Sequence, residues 1–189
     1  IINNYGINIA GAVGGQIDKL IIVPLLGFEL LGNYSLAMQF LIILLLFPTI
    51  VFKYLLPMDS SVKNTKNLKK ISILVSIALA TFGIVVLPMI IPILFPKFID
   101  SIVAIQIISV VVIPTTIGVF YESKLLALEK GKFPIIGKSI GIIIVVVGFL
   151  TLGPIYGMIG LAVTFVVSGL LETIFVIIAS KTINYKEKI

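Results

Sequence analysis

The sequence predicts an all-α integral membrane protein, a bundle of six transmembrane helices, on three observations. Hydrophobic residues make up 59% of the 189 and charged residues only 12%, against about 45–50% and about 25% in a soluble domain. Mean hydropathy is +1.26, an excess that a soluble core of this size cannot hide. The apolar residues fall into six runs, each near the ~20 residues that a helix needs to cross hydrocarbon. Lysines gather in the connections on one side of those runs, as the positive-inside rule requires.

The first span is expected from Asn4 to Leu26 and the second, after "GFELLGN", from Tyr34 to Leu56. The polar stretch "MDSSVKNTKNLKK" is the longest connection, and the third span follows from Ile71 to Leu94. "FPKFIDS" is a short turn into a fourth span, Ile102 to Tyr121. The amphipathic "ESKLLALEKGKF" extends that helix past the bilayer surface. The fifth span is placed at Pro134 to Leu152, "GPIYG" turns the chain, and the sixth runs from Met158 to Ala179. Strands are excluded because the runs are too long and do not alternate, unlike the ~10-residue period-2 segments of membrane barrels. Pro48, Pro88, Pro92 and Pro114 lie in or near spans; inside a membrane, neighbours can satisfy the carbonyls that proline leaves free.

Six spans put both ends on one side. That side receives twelve of the fourteen lysines, the opposite side only Lys97, and Lys19 falls within a span. Both ends are therefore expected in the cytoplasm, with the spans in the cytoplasmic membrane. Tyr34, Tyr54, Tyr121 and Tyr156 fall near span ends, where interfacial aromatics belong. The net charge of +6 is a topology signal on this reading, and no nucleic-acid partner is expected. Cys, His and Trp are absent. That removes thiolate metal sites, cysteine nucleophiles and the Ser-His-Asp triad. No enzyme activity, catalytic residue, metal or cofactor is expected. "GAVGG" lies within an apolar span and lacks the Lys and Ser/Thr of a phosphate-binding loop.

Asp18 and Lys19 are the chemically informative pair. A charge at the centre of a membrane helix costs about 2.5–3.5 kcal/mol. Adjacent residues point about 100° apart, so these two cannot satisfy each other. Lys19 is ~10 Å from the outer end, a marginal distance for snorkelling. Asn4, Asn8, Gly11, Gly15 and Asp18 share one helical stripe. Gly160, Thr164, Ser168 and Glu172 form another in the last span, and Ser35 and Gln39 share a face in the second. Asp18, Lys19, Asn8, Gln39, Glu172 and Ser168 are the residues expected to line a water-filled substrate or ion cavity. Close helix packing is the alternative for the small-residue stripes, including Gly11 with Gly15, Gly137 with Gly141, and Ser72, Ser76 and Ala80, and a buried structural ion pair with other helices is the alternative for Asp18 with Lys19.

The run "QIDKLIIVPLLGFELLGNYSLAMQF" resembles the charged helix, glycine turn and "GxYSxA" helix start of the lipid-linked oligosaccharide and polysaccharide flippases. These belong to the multidrug/oligosaccharidyl-lipid/polysaccharide exporter superfamily. "LFPKFIDSIVAIQIISV" is similar to that family's turn into its tenth helix, and "GPIYGMIGLAVTFVVSGLLE" to the entry to its last helix. The resemblance implies the C-terminal half of a two-lobed transporter of about twelve helices. An N-terminal half of the same protein would then complete it, in keeping with a chain that opens "IINNYG" without Met. It also implies alternating access, a lipid-linked oligosaccharide as substrate, contact with membrane lipids and a coupling cation, H⁺ or Na⁺. Family members commonly hold anions with cavity arginines. Arginine is absent here, so Lys19 would act as a point charge without a bidentate clamp. Two alternatives stay open: a cation-coupled multidrug antiporter of the same superfamily, and a non-transporting membrane subunit of a polysaccharide assembly system.

Overall fold

The structure, a computed structural model, describes the backbone of residues 2–61 and 65–186. Side chains are described for Ile22, Pro24, 27–61 and 65–183. Every element among the described residues is helical: α1 (Ile2–Ser60), α2 (Lys66–Thr81), α3 (Leu87–Leu94), α4 (Ser101–Ser109), α5 (Val112–Ala127) and α6 (Lys132–Lys186). A π-helical turn, Phe82–Val86, joins α2 to α3, and a 3₁₀ turn, Pro96–Phe98, joins α3 to α4.

Six separate helices with loops between them are not what forms. Among the described residues four helices are long and apolar enough to cross a membrane: Gly27–Ser60, Lys66–Leu94, Ser101–Ala127 and Lys132–Ile183. The turns expected at "GFELLGN" and "GPIYG" stay helical apart from one residue each. Gly27 (φ 84°, ψ 172°) and Gly157 (φ 54°, ψ −131°) leave the helical region, and two helical arms meet at each. Both follow a proline by three residues, in "PLLG" and "PIYG". The proline removes a helical N–H, and the glycine takes a positive φ that other residues resist. One residue thus redirects the chain, and few peptide groups leave helical bonding.

In α6 the second arm runs back along the first. Gly137 meets Phe175 and Val176, Gly141 meets Ser168 and Glu172, and Gly148 meets Thr164. One number rises as the other falls, so the arms are antiparallel. The glycines of the first arm receive the small polar side chains of the second, which lets two backbones approach closely. The second arm also crosses α5, where Thr173 Oγ1 donates to the Pro114 carbonyl (3.0 Å) and lies over Gly118.

Burial is inverted relative to a soluble protein. Ser72, Ser76, Ser109, Thr116, Thr164 and Ser180 are almost fully buried, whereas Leu74, Met89, Ile93 and Ile155 are 67–79% exposed. Ser72, Ser76 and Ala80 are the buried face of α2, the packing stripe that the sequence suggests. Several buried hydroxyls donate within their own helix, such as Ser109 to Ile105 O (2.6 Å) and Thr116 to Val112 O (2.7 Å), which removes the penalty of an unpaired group. Among the described residues only Asn33 Oδ1 and Ser180 Oγ are buried side-chain polar atoms without a partner. The main apolar core joins Leu41 and Leu44 of α1, Leu87 and Ile91 of α3, Ile105 and Ile108 of α4, and Ala162 of α6.

Two prolines interrupt neighbouring helices, and each orphaned carbonyl finds a donor. Pro88 has no N–H for the Ile84 carbonyl. The helix widens to a π turn there, and Gln106 Nε2 of α4 donates to Ile84 O at 3.0 Å. Pro114 likewise leaves the Val110 carbonyl, which accepts from Ile113 N–H at 3.2 Å in a tightened turn between α4 and α5.

A methyl group at Gly148 would collide with the Thr164 side chain. Gly148→Ala is expected to lower stability in detergent micelles by about 1–3 kcal/mol. Thr164→Ala in the same chain should recover part of that loss. Thermal unfolding followed by circular dichroism reads both, and an unchanged midpoint for Gly148→Ala would mean that the arms do not meet there.

Candidate functional site

Contacts sort the helix ends into two groups. Phe98 lies against Gly32, and Leu30 lies near Gly157, so residues 27–33, 95–98 and 157 share one end of the bundle. Asp59, Lys69, Glu122, Ser123 and Lys138 interact at the other. The second end carries nearly all described lysines, whereas Lys97 belongs to the first.

The lysine-rich end is held by two polar junctions built on adjacent residues of α5. Ser123 Oγ donates to Asp59 Oδ2 at 2.7 Å, and Lys69 Nζ approaches Asp59 Oδ1 at 3.8 Å. The same ammonium sits 5.9 Å from the Phe120 ring centroid, within cation–π range. This junction ties together α1, α2 and α5. Glu122 points the other way and pairs with Lys138 Nζ of α6 at 3.1 Å. Glu172, on the returning arm of α6, is the third charge here; Lys138 attracts its carboxylate and Glu122 repels it. Glu122 thus pairs with Lys138, and Glu172 lies within electrostatic reach of both from the returning arm of α6.

Of the residues expected to line a cavity, Asn8, Asp18 and Lys19 fall outside the described side chains. Ser168 is buried in the α6 seam and donates to the Gly141 carbonyl at 3.0 Å. Glu172 follows it one turn on, half-buried against Gly137 and Gly141. Gln39 stands apart from both. It is exposed on α1, in a groove of about 370 Å³ bounded by Leu36, Phe40 and Ile43 on one wall and by Leu87, Ile90 and Leu94 on the other. Its amide is the one polar side chain in an otherwise apolar lining. The structure thus brings Ser168 and Glu172 together and leaves Gln39 in a separate place.

Sequence reasoning missed both junctions and the Gln106 bond. The junctions carry no local signal, because Asp59 and Ser123 are far apart in the chain. The Gln106 bond had half a signal: Pro88 names Ile84 O as an acceptor in need of a donor, and Gln106 is the amide in the next span.

A chain whose long helices turn aliphatic side chains outward and hydroxyls inward is an all-α integral membrane protein. No family model, curated protein or solved structure matches it.

With two carboxylates about one lysine, the sign of each substitution differs. Lys138→Met removes the cation paired with Glu122 and near Glu172 and should destabilise by about 1–2 kcal/mol, discounted because Lys138 is 29% exposed. Glu172→Gln removes the surplus charge and should leave the unfolding midpoint unchanged or raised. It should also restore part of the loss in Lys138→Met. A larger loss from Glu172→Gln than from Lys138→Met would contradict this charge balance.

Proposed function

We propose that this chain is one lobe of a transporter that moves a lipid-linked oligosaccharide or polysaccharide precursor across the cytoplasmic membrane by alternating access. The arms 2–26, 28–60, 66–94, 101–127, 132–156 and 158–186 then make six crossings, and both ends lie in the cytoplasm. The segregation of lysines to one end of the bundle supports that orientation.

The observation that carries the transport reading is the Asp18–Lys19 pair inside an apolar stretch. Two adjacent charges inside a span cost about 2.5–3.5 kcal/mol each unless water or partners on other helices receive them. An internal vestibule hydrates both. Lys19 would then attract the diphosphate or acidic sugars of the substrate. Asp18 would hold that lysine and water in place or take part in cation coupling. Gln39 and the Ser168–Glu172 face would contribute to the cavity when a second lobe completes it. The order of the motifs in residues 16–40, 94–110 and 153–172 supports the same class.

Lys19→Ala in the full-length protein is expected to reduce surface polysaccharide at least tenfold at unchanged protein level, as measured by immunoblot of the cell envelope. Unchanged export would remove Lys19 from the mechanism. Unchanged polysaccharide with increased drug sensitivity in a deletion strain, and loss of drug resistance in Asp18→Asn, would instead indicate the multidrug antiporter.

A further inference from the structure

The lysines of the lysine-rich end fall into two sets. Lys69 and Lys138 are partly buried, and each meets an acid of the protein, Asp59 and Glu122 respectively. Lys53, Lys70, Lys132 and Lys181 are exposed. Among the described residues no acid lies within ion-pair distance of these four.

Each exposed lysine stands over an exposed aliphatic stripe of its own helix. Side chains three, four or seven residues apart share a helical face. Lys53 lines up with Ile50 and Leu46 on α1, and Lys70 with Leu74 and Ile77 on α2. On the two arms of α6, Lys132 lines up with Ile136, and Lys181 with Ile178 and Ile174. These aliphatic side chains are 44–69% exposed, and each lies on the mid-span side of its lysine. The opposite end of the bundle lacks the pattern. Its exposed Lys97 is accompanied by two exposed acids, Glu29 and Asp100.

A lysine lays its methylene stem along such a stripe and lifts its ammonium to the membrane surface. The ammonium there is a full charge with three donors, and the protein supplies no counter-charge. The stripe below it offers only apolar contact. A molecule that answers both is a phospholipid with a net negative headgroup above and an acyl chain below. A zwitterionic lipid brings a second cation to the same level and loses most of the attraction.

We propose that Lys53, Lys70, Lys132 and Lys181 form a collar that binds anionic phospholipids, the headgroup on the ammonium and the acyl chain on the stripe beneath it. The collar rests on the membrane-spanning reading alone and stands whether or not the chain transports anything. It selects lipid at one end of the bundle, because the other end pairs its lysine with a surplus of acids.

The full chain in phosphatidylcholine vesicles, with a trace of spin-labelled lipid, tests this. Electron paramagnetic resonance separates label immobilised at the protein from label in the bulk. At low salt, labelled phosphatidylglycerol is expected to associate about threefold more strongly than labelled phosphatidylcholine, the about fivefold effect of one surface lysine being diluted by sites elsewhere on the perimeter. High salt should remove most of that preference. Lys53→Gln, Lys70→Gln, Lys132→Gln and Lys181→Gln together should bring the ratio close to one, with helicity by circular dichroism unchanged. Lys97→Gln should leave the ratio at its original value. A ratio near one for the unsubstituted chain overturns the proposal, as does a folded fourfold variant that keeps the preference. An equal loss in Lys97→Gln overturns it too, since net charge alone would then draw the lipid. If the fourfold variant fails to fold, Lys132→Gln with Lys181→Gln must lower the ratio, and no change there is equally fatal.

Discussion

The constraint behind this structure is that hydrocarbon offers no hydrogen bonds. Each peptide N–H and carbonyl in a span must find its partner within the protein, at a cost of several kcal/mol if it does not. Helices meet that demand with local bonds, which is why a chain so rich in β-branched isoleucine and valine is helical over most of its described length. The same demand explains the irregularities. A proline creates an acceptor without a donor, and here the answer depends on what lies nearby. At Val110 the chain tightens and uses its own Ile113 N–H. At Ile84 it widens and borrows the amide of Gln106 from the next helix. Many hydroxyls behave alike, turning back to carbonyls three or four residues earlier, as Ser72, Ser109 and Thr116 do.

Once bonding is settled locally, packing cannot rely on squeezing water from apolar faces, because the surroundings are already apolar. Close contact takes over. In α6 the glycines at 137, 141 and 148 receive Val176, Ser168 and Thr164, and within the π turn Gly83 receives Ser109. Small residues let backbones approach, and many weak dispersion contacts add up. The large aliphatic side chains are left to face outward, which inverts the usual burial pattern. Apolar clusters persist where several helices converge, around Leu41, Ile91, Ile105 and Val112.

This division shows what the sequence makes legible and what it does not. Long apolar runs, the lysine bias and the stripe of Ser72, Ser76 and Ala80 are statements about one helix in its solvent, and one helix's residues suffice to read them. Gly27 and Gly157 sit in turns that the sequence also marks, yet the turns were expected as loops. Loop signals learned from water overstate how much chain must leave helical form, and a Pro-x-x-Gly needs only one residue. The junctions Asp59–Lys69–Ser123 and Glu122–Lys138 depend on which helices become neighbours, and nothing local encodes that. The face of Ser168 and Glu172 is polar on any reading. Whether polarity means water or a glycine-lined seam depends on the partner helix, which periodicity does not reveal. The Asp18–Lys19 pair falls outside the described side chains.

The two ends of the bundle differ in how they are held, and the difference follows from chemistry at each level. At the lysine-rich end, charged and hydroxyl groups lie where water can reach the lysine heads, so ion pairs form without the full desolvation penalty. They join α1, α2, α5 and α6 through directional contacts. At the other end, the α3–α4 hairpin meets α1 through aromatic edges and aliphatic side chains. Such contacts are non-directional, and they continue into the main core that the hairpin shares with α1 and α6. The proline-induced breaks lie between these two regimes. The helix pair is thus held by ion pairs below the breaks and by apolar packing above them. Water permits charge at one end, and proline withholds a hydrogen bond between the two regimes.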